Sequence, residues 1–252
     1  MGIALIAGSG PAPALVAGTV MMALQVSIGA YNDLMDVSSD ARSRPSKPIP
    51  GGDVSRATAI RVMTGGLVIG LLLATILGST AFAIAAAGVG CGYVHSRWTK
   101  GTPFAVVPFA IGTALLPTFA WIVGTGQPPP AAIIALGAAG GIAIGLANAG
   151  SDVDADGAIE LRTPAVRLGR RRTNTLVTAI LAMVAMAAIV TMVALRPGPV
   201  AVGLSLAGLG LIGLGVAVAW RPVTRPQLSW ELDAAGLAIL AMAWLSAASG
   251  AG

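Results

Sequence analysis

Residues 11–50 read PAPALVAGTV MMALQVSIGA YNDLMDVSSD ARSRPSKPIP. From Pro11 to Asn32 no side chain is charged, and then acids and bases crowd together. An uncharged run of about 20 residues is what a helix needs to cross roughly 30 Å of hydrocarbon. The abrupt change at Asp33 therefore marks a membrane span reaching a polar face. The rest of the chain repeats this pattern. Of 252 residues, 56% are hydrophobic and 10% charged, and the mean hydropathy is +0.85. A soluble domain carries about a quarter charged residues, so that class is excluded. The 34 glycines and 16 prolines do not argue for loops, because both are tolerated in transmembrane helices. A membrane β-barrel needs segments of about ten residues alternating in polarity, and the unbroken apolar runs exclude it.

The fold class expected is all-α, a polytopic transmembrane helical bundle. Eight spans are read at 11–33, 57–78, 80–95, 103–123, 131–150, 174–195, 199–220 and 231–249. The opening stretch Met1 to Gly10 is apolar but too short to span. It lacks the basic start and small-residue cleavage site of a secretory signal, and reads as the stump of another helix. Residues 1–252 are taken as a single transmembrane domain.

Charge placement supports the count. Eight spans put 14 of the 15 Lys and Arg residues in loops on one side, leaving Arg196 alone on the other. The positive-inside rule makes the basic side cytoplasmic, and the cell membrane is the expected location. All ten acids fall on that side too, which topology does not require because acids contribute little to orientation.

The acids also repeat. Asn32, Asp36 and Asp40 are spaced i, i+4, i+8, which advances about 40° per step on a helix and makes one polar stripe. Asn148, Asp152 and Asp156 have the same spacing, 116 residues later. Each group leads into a basic segment, Arg44-Pro45-Ser46-Lys47-Pro48 and Arg162-Thr163-Pro164. Four spans lie between, so both groups emerge at one membrane face. Facing carboxylates would repel unless cations sat between them. Hard oxygen donors suit Mg²⁺, which takes one or two carboxylates plus substrate phosphates. The neighbouring Arg and Lys side chains suit the remaining phosphate oxygens.

The segment Asn32-Asp33-Leu34-Met35-Asp36-Val37-Ser38-Ser39-Asp40 resembles the first aspartate-rich motif, NDxxDxxxD, of the UbiA superfamily of membrane-embedded prenyltransferases. Arg44-Pro45, Pro48 and Pro50 fit its continuation. Asp152-Val153-Asp154-Ala155-Asp156 resembles the second motif, DxxxD, followed by Arg162-Thr163-Pro164 and Arg167-Leu168-Gly169. The resemblance implies a ring of nine helices around a chamber open to lipid, of which this sequence supplies eight, the first being missing or truncated. It implies Mg²⁺-dependent transfer of an isoprenyl group from a polyprenyl diphosphate to a lipophilic acceptor, an aromatic or quinone precursor. Metal would be held by Asn32, Asp36, Asp40, Asp152 and Asp156, and diphosphate contacted by Arg44, Lys47, Tyr93, Arg97, Lys100 and Arg162. Asp36, Asp152 and Tyr93 are the residues expected to be catalytic. Membrane lipid is the surrounding partner, and no nucleic acid is expected despite the net charge of +5.

Two other readings compete. A terpene cyclase on the same scaffold would benefit from aromatic faces around a cation, yet aromatics are 4% of the chain. A cation transporter would place acids near the bilayer midplane, whereas these gather at one end of the spans. Other residues have structural readings. His95 has no second His for a transition metal. Cys91 behaves as a small hydrophobe. Trp98, Trp220 and Trp230 on one face, and Trp121 and Trp244 on the other, are expected as interfacial anchors. Gly66 and Gly70, and Gly137, Gly141 and Gly145, sit at small-xxx-small spacing for close helix packing.

Overall fold

The computed structural model describes residues 2–158, 161–221 and 227–248, and all regular elements among them are helical. They are α1 (Gly2–Ile6), α2 (Pro11–Ser43), α3 (Arg56–Ile76), α4 (Ser79–Val94), a π-turn (His95–Thr99), α5 (Val106–Thr125), α6 (Ala131–Ser151), α7 (Val153–Ala158), α8 (Pro164–Leu168), α9 (Arg170–Ala194), α10 (Pro199–Ala219) and α11 (Gln227–Ala248). Seven of these are long and apolar enough to cross a membrane: α2, α3, α5, α6, α9, α10 and α11. The expected span at 80–95 corresponds to α4, which at 16 residues is shorter but runs directly into the π-turn. The protein is an integral membrane protein, and side chains such as Leu72, Met186 and Leu206 present apolar surface outward.

Local chemistry sets the helix ends. Pro11 begins α2, where its missing N–H costs nothing. Ser55 caps α3 by accepting from Thr58 N–H at 3.1 Å. Gly126, at φ 68°, ends α5 in the left-handed conformation that a Cβ would disfavour. The helix expected to stop near residue 33 continues for ten more residues, so Asn32, Asp36 and Asp40 all lie on α2.

Two apolar cores mirror the sequence repeat. Val20, Leu24, Ala74, Ala81, Ala85, Val89 and Phe119 join α2, α3, α4 and α5. Leu146, Val177, Leu181, Ile212, Leu240 and Leu245 join α6, α9, α10 and α11. Each half thus begins with a helix that delivers an acidic motif. Glycines sew the halves. A Cβ on Gly137 would lie 2.9 Å from Ala114 Cα, and Gly141 and Gly145 pack against α5 at Thr113 and Phe109. A Cβ on Gly66 would lie 2.6 Å from Ala23 O, so α3 presses backbone to backbone on α2. The small-residue spacing is therefore packing, as expected. The opening stretch is helical, and α1 packs against α2, α5 and α11. Trp244 is not the interfacial anchor expected of it. It is 7% exposed and its Nε1 donates to Thr191 Oγ1 at 2.7 Å, a polar handle satisfied inside the second core.

Candidate active site

On α2, Asn32, Asp36 and Asp40 form the expected stripe. Asn32 Nδ2 donates to Asp36 Oδ2 at 3.1 Å. Opposite them stands the π-turn, closed by Lys100 N–H to His95 O at 2.9 Å. The widened turn turns Ser96 and Lys100 toward α2, as such turns often do at functional sites. Ser96 Oγ and Lys100 Nζ both donate to Asn32 Oδ1, at 3.4 and 3.3 Å, and Lys100 also pairs with Asp36. The approach depends on Gly92, one turn before Ser96: a Cβ there would fall 2.7 Å from Ile28 Cγ1 on α2. No spacing in the sequence singles out Gly92.

Asp40, 6% exposed, accepts from Lys47 Nζ at 2.8 Å, and Asp33 accepts from the same ammonium at 3.2 Å. Burial alone would lower the pKa of Lys47, but the hydrogen bonds and charges of Asp40 and Asp33 outweigh it and leave it above 10.5. A raised folded-state pKa contributes stability that is complete below the unfolded value and is lost as pH climbs through the folded one. Chelator-treated protein should therefore hold its thermal midpoint through neutral pH and lose it above about pH 10.5. In Lys47→Met that alkaline loss should shrink, which a pH series of melting curves in detergent will measure.

The second motif meets the first through Arg44, whose Nη2 donates to Asp152 Oδ1 at 2.6 Å. Gln227 Nε2 at the start of α11 reaches the same oxygen at 3.4 Å. Arg162 N–H donates to Gly101 O at 3.1 Å, tying the loop of the second motif to the one after the π-turn. All four segments on the basic side thus touch. The second motif is not a continuous stripe, however. α6 ends at Ser151, Asp152 leaves it at φ −105°, and α7 begins at Val153. Asp154 turns outward to Arg170 at 2.6 Å. The side chain of Asp156, as well as all of Glu160, lies outside the described residues.

Three expected contacts sit apart from the acids. Tyr93 hydroxyl bonds Ser27 Oγ at 2.7 Å, and Ser27 donates to Met63 O at 2.6 Å. Its ring stacks on Tyr31 at 4.3 Å. Tyr93 thus reaches the first motif through the aromatic neighbour of Asn32. Arg97 and Arg162 have exposed side chains. Nearby, His95 packs edge-on to Phe109 at 4.8 Å.

Among the described residues no three acidic, His or Cys side chains converge tightly enough to make a metal cage by themselves. Each inner acid instead faces a cation: Asp36 with Lys100, Asp40 with Lys47, Asp152 with Arg44. A site of one or two carboxylates from each motif, lined with cations, matches Mg²⁺ completed by phosphate oxygens.

One cavity adjoins this cluster and a second lies further along the bundle. A cleft of about 800 Å³ runs from Arg44 and Asp152 between the ends of α6, α9, α10 and α11. An apolar chamber of about 410 Å³ lies deeper, walled by Pro117, Ile133, Ile144, Leu237, Trp244 and Leu245.

Solved structures share this architecture. A UbiA homolog from Aeropyrum pernix K1 superposes with a TM-score of 0.79 at 18% identity, over 94% of this chain and 91% of that one. A UbiA homolog from Archaeoglobus fulgidus, bound to GPP and Mg²⁺, superposes at 0.71 and 16% identity, over 98% and 93%. Among curated sequences, digeranylgeranylglyceryl phosphate synthase of Methanopyrus kandleri is 31% identical over 56% of this chain and 52% of its own. The Methanoculleus marisnigri synthase is 30% identical over 69% and 63%. The chain spans about half the length of the first of these relatives. The family model for UbiA prenyltransferases matches residues 1–247, nearly all of the sequence and both acidic motifs, and the chain belongs to the UbiA prenyltransferase family.

Proposed function

We propose that this protein transfers an isoprenyl group from a prenyl diphosphate to a lipophilic acceptor inside the membrane. The observation that carries the reading is the 2.6 Å bridge from Arg44 to Asp152, which joins two acidic motifs 116 residues apart at the mouth of a cleft. Asn32, Asp36, Asp40 and Asp152, with Asp156, are the residues that would hold magnesium, which when bound neutralises charge on the leaving diphosphate. Arg44, Lys47 and Lys100 are positioned to turn from the acids to diphosphate oxygens, where preorganised cations act as the C–O bond ionises. Arg97 and Arg162, at the rim, are candidates for outer oxygens, and Tyr93 holds the wall below Asn32. The chamber walls keep water from the allylic cation and house its tail. The basic loops support a site facing the cytoplasm of a cell membrane, and residues 1–252 acting as one domain.

The acceptor favoured is a glyceryl phosphate bearing one prenyl ether. The names of the curated relatives support it, as does the arginine-lined cleft that opens from Asp152. Purified protein in detergent, given geranyl diphosphate, this acceptor and Mg²⁺, is expected to yield a prenyl ether and diphosphate, and neither after EDTA treatment. Mass spectrometry of the products decides the acceptor class. An aromatic or quinone precursor prenylated instead would replace the glyceryl acceptor, and a cyclic hydrocarbon would make the enzyme a cyclase. Turnover unaffected by EDTA would overturn the magnesium assignment.

A further inference from the structure

Asp233 is the acid that the site so far leaves unexplained. It lies on α11, 1% exposed, six residues and so about 9 Å along the axis beyond Gln227. Its Oδ1 has no hydrogen-bond partner. α10 makes room for it at Gly215, where a Cβ would collide with that oxygen and with Ser229 O. An unpaired carboxyl in a span is costly and marks function where it occurs. Asp233 also lines the same cleft as Arg44 and Asp152. The outer part of the cleft is basic, with Arg170, Arg171 and Arg221, and Val177 and Val216 supply an apolar wall.

We propose that this cleft is the acceptor site, with the anionic head of the acceptor at the arginine rim and its nucleophilic hydroxyl at Asp233, which takes the proton. This rests on the prenyl-transfer reading above. In the step, the C1–O bond to diphosphate breaks, its electron pair leaving with the diphosphate, and the acceptor oxygen bonds to the allylic C1. The hydroxyl proton passes to the Asp233 carboxylate and then out through the cleft to water. Asp233 suits this role because it lines the cleft, which joins it to the end of the diphosphate site.

Asp233→Asn keeps the shape and removes the base. With geranyl diphosphate and a glyceryl phosphate mono-prenyl ether, kcat for ether formation is expected to fall at least 100-fold. KM for geranyl diphosphate and magnesium-dependent diphosphate release without acceptor should stay within twofold, a split that a merely structural acid would not produce. Undiminished ether formation would overturn the proposal. Unmodified protein provides a second arm that needs no variant. Dicyclohexylcarbodiimide should label Asp233, read by peptide mass spectrometry, and the acceptor should protect it at least fivefold while geranyl diphosphate does not. Absent labelling, or labelling that the acceptor leaves unchanged, would equally overturn it. An acceptor analogue lacking the phosphate should protect at least tenfold less tightly if the arginine rim holds the head. Wild-type protein yielding neither ether nor diphosphate would instead refute prenyl transfer itself, leaving the cleft as a binding site judged by protection.

Discussion

Asp36→Ala and Asp152→Ala are each expected to lower magnesium-dependent diphosphate release from geranyl diphosphate by about 10³-fold or more, equivalent to roughly 4 kcal/mol of transition-state stabilisation. Asp36 carries the hydrogen bond from Asn32 and the ion pair with Lys100. Asp152 carries those of Arg44 and Gln227. Either loss removes an acid proposed to hold magnesium and leaves a cation without its partner at the point where charge develops. A similar acid on the same face provides the comparison: Asp53 is exposed in the loop before α3, and Asp53→Ala should keep activity within twofold. Elution of both site variants as folded, monodisperse protein will separate chemistry from stability. Full activity in either variant would remove the two motifs from the reaction.

Gly236→Val is expected to give the largest loss of stability. A Cβ at Gly236 would lie 2.7 Å from Gly208 O, 2.7 Å from Ile212 Cγ1 and 2.9 Å from Ile212 N. Two of these are backbone atoms of α10, so no rotamer change relieves the contact and α10 must separate from α11. Overpacking of this kind costs about 3 kcal/mol or more. For a chain of this size the melting midpoint should fall by roughly 6–12 °C. Gly210 on α10 has nothing within 4 Å of its own hypothetical Cβ, so Gly210→Val should move the midpoint by less than about 2 °C. Equal midpoints for the two variants would refute close packing of this helix pair. Separation of α10 from α11 would also unmake the niche of Asp233, so the same variant should lose ether formation.

Much of this protein was legible before any coordinates. Apolar runs of about 20 residues leave few alternatives, because every backbone polar group in lipid must be bonded within its own segment. The i, i+4, i+8 stripe of Asn32, Asp36 and Asp40 follows from helix period alone, and α2 carries it as expected. The second stripe read less well. Its spacing matched the first, but the chain leaves α6 at Asp152, a local break that residue spacing does not encode. The aromatic-belt reading of Trp244 failed for a related reason. Position near a span end suggests an interface, whereas burial depends on which neighbouring helix, here α9 with Thr191, supplies a partner.

Asp233 shows the division clearly. In the sequence Asp233 is one of ten acids on the basic side, and no motif singles it out. Only packing of Gly215 against its carboxyl makes it buried and unpartnered. The sequence by itself determined where the apolar helices lie, the side on which charge collects, and which residues carry hard oxygen, since these depend on local period and composition. Tertiary structure alone decided which acid pairs with which cation, how closely α4 approaches α2 at Gly92, and where the cleft and chamber open. Those are contacts between residues far apart in the chain, and their geometry is set by how the helices pack on one another.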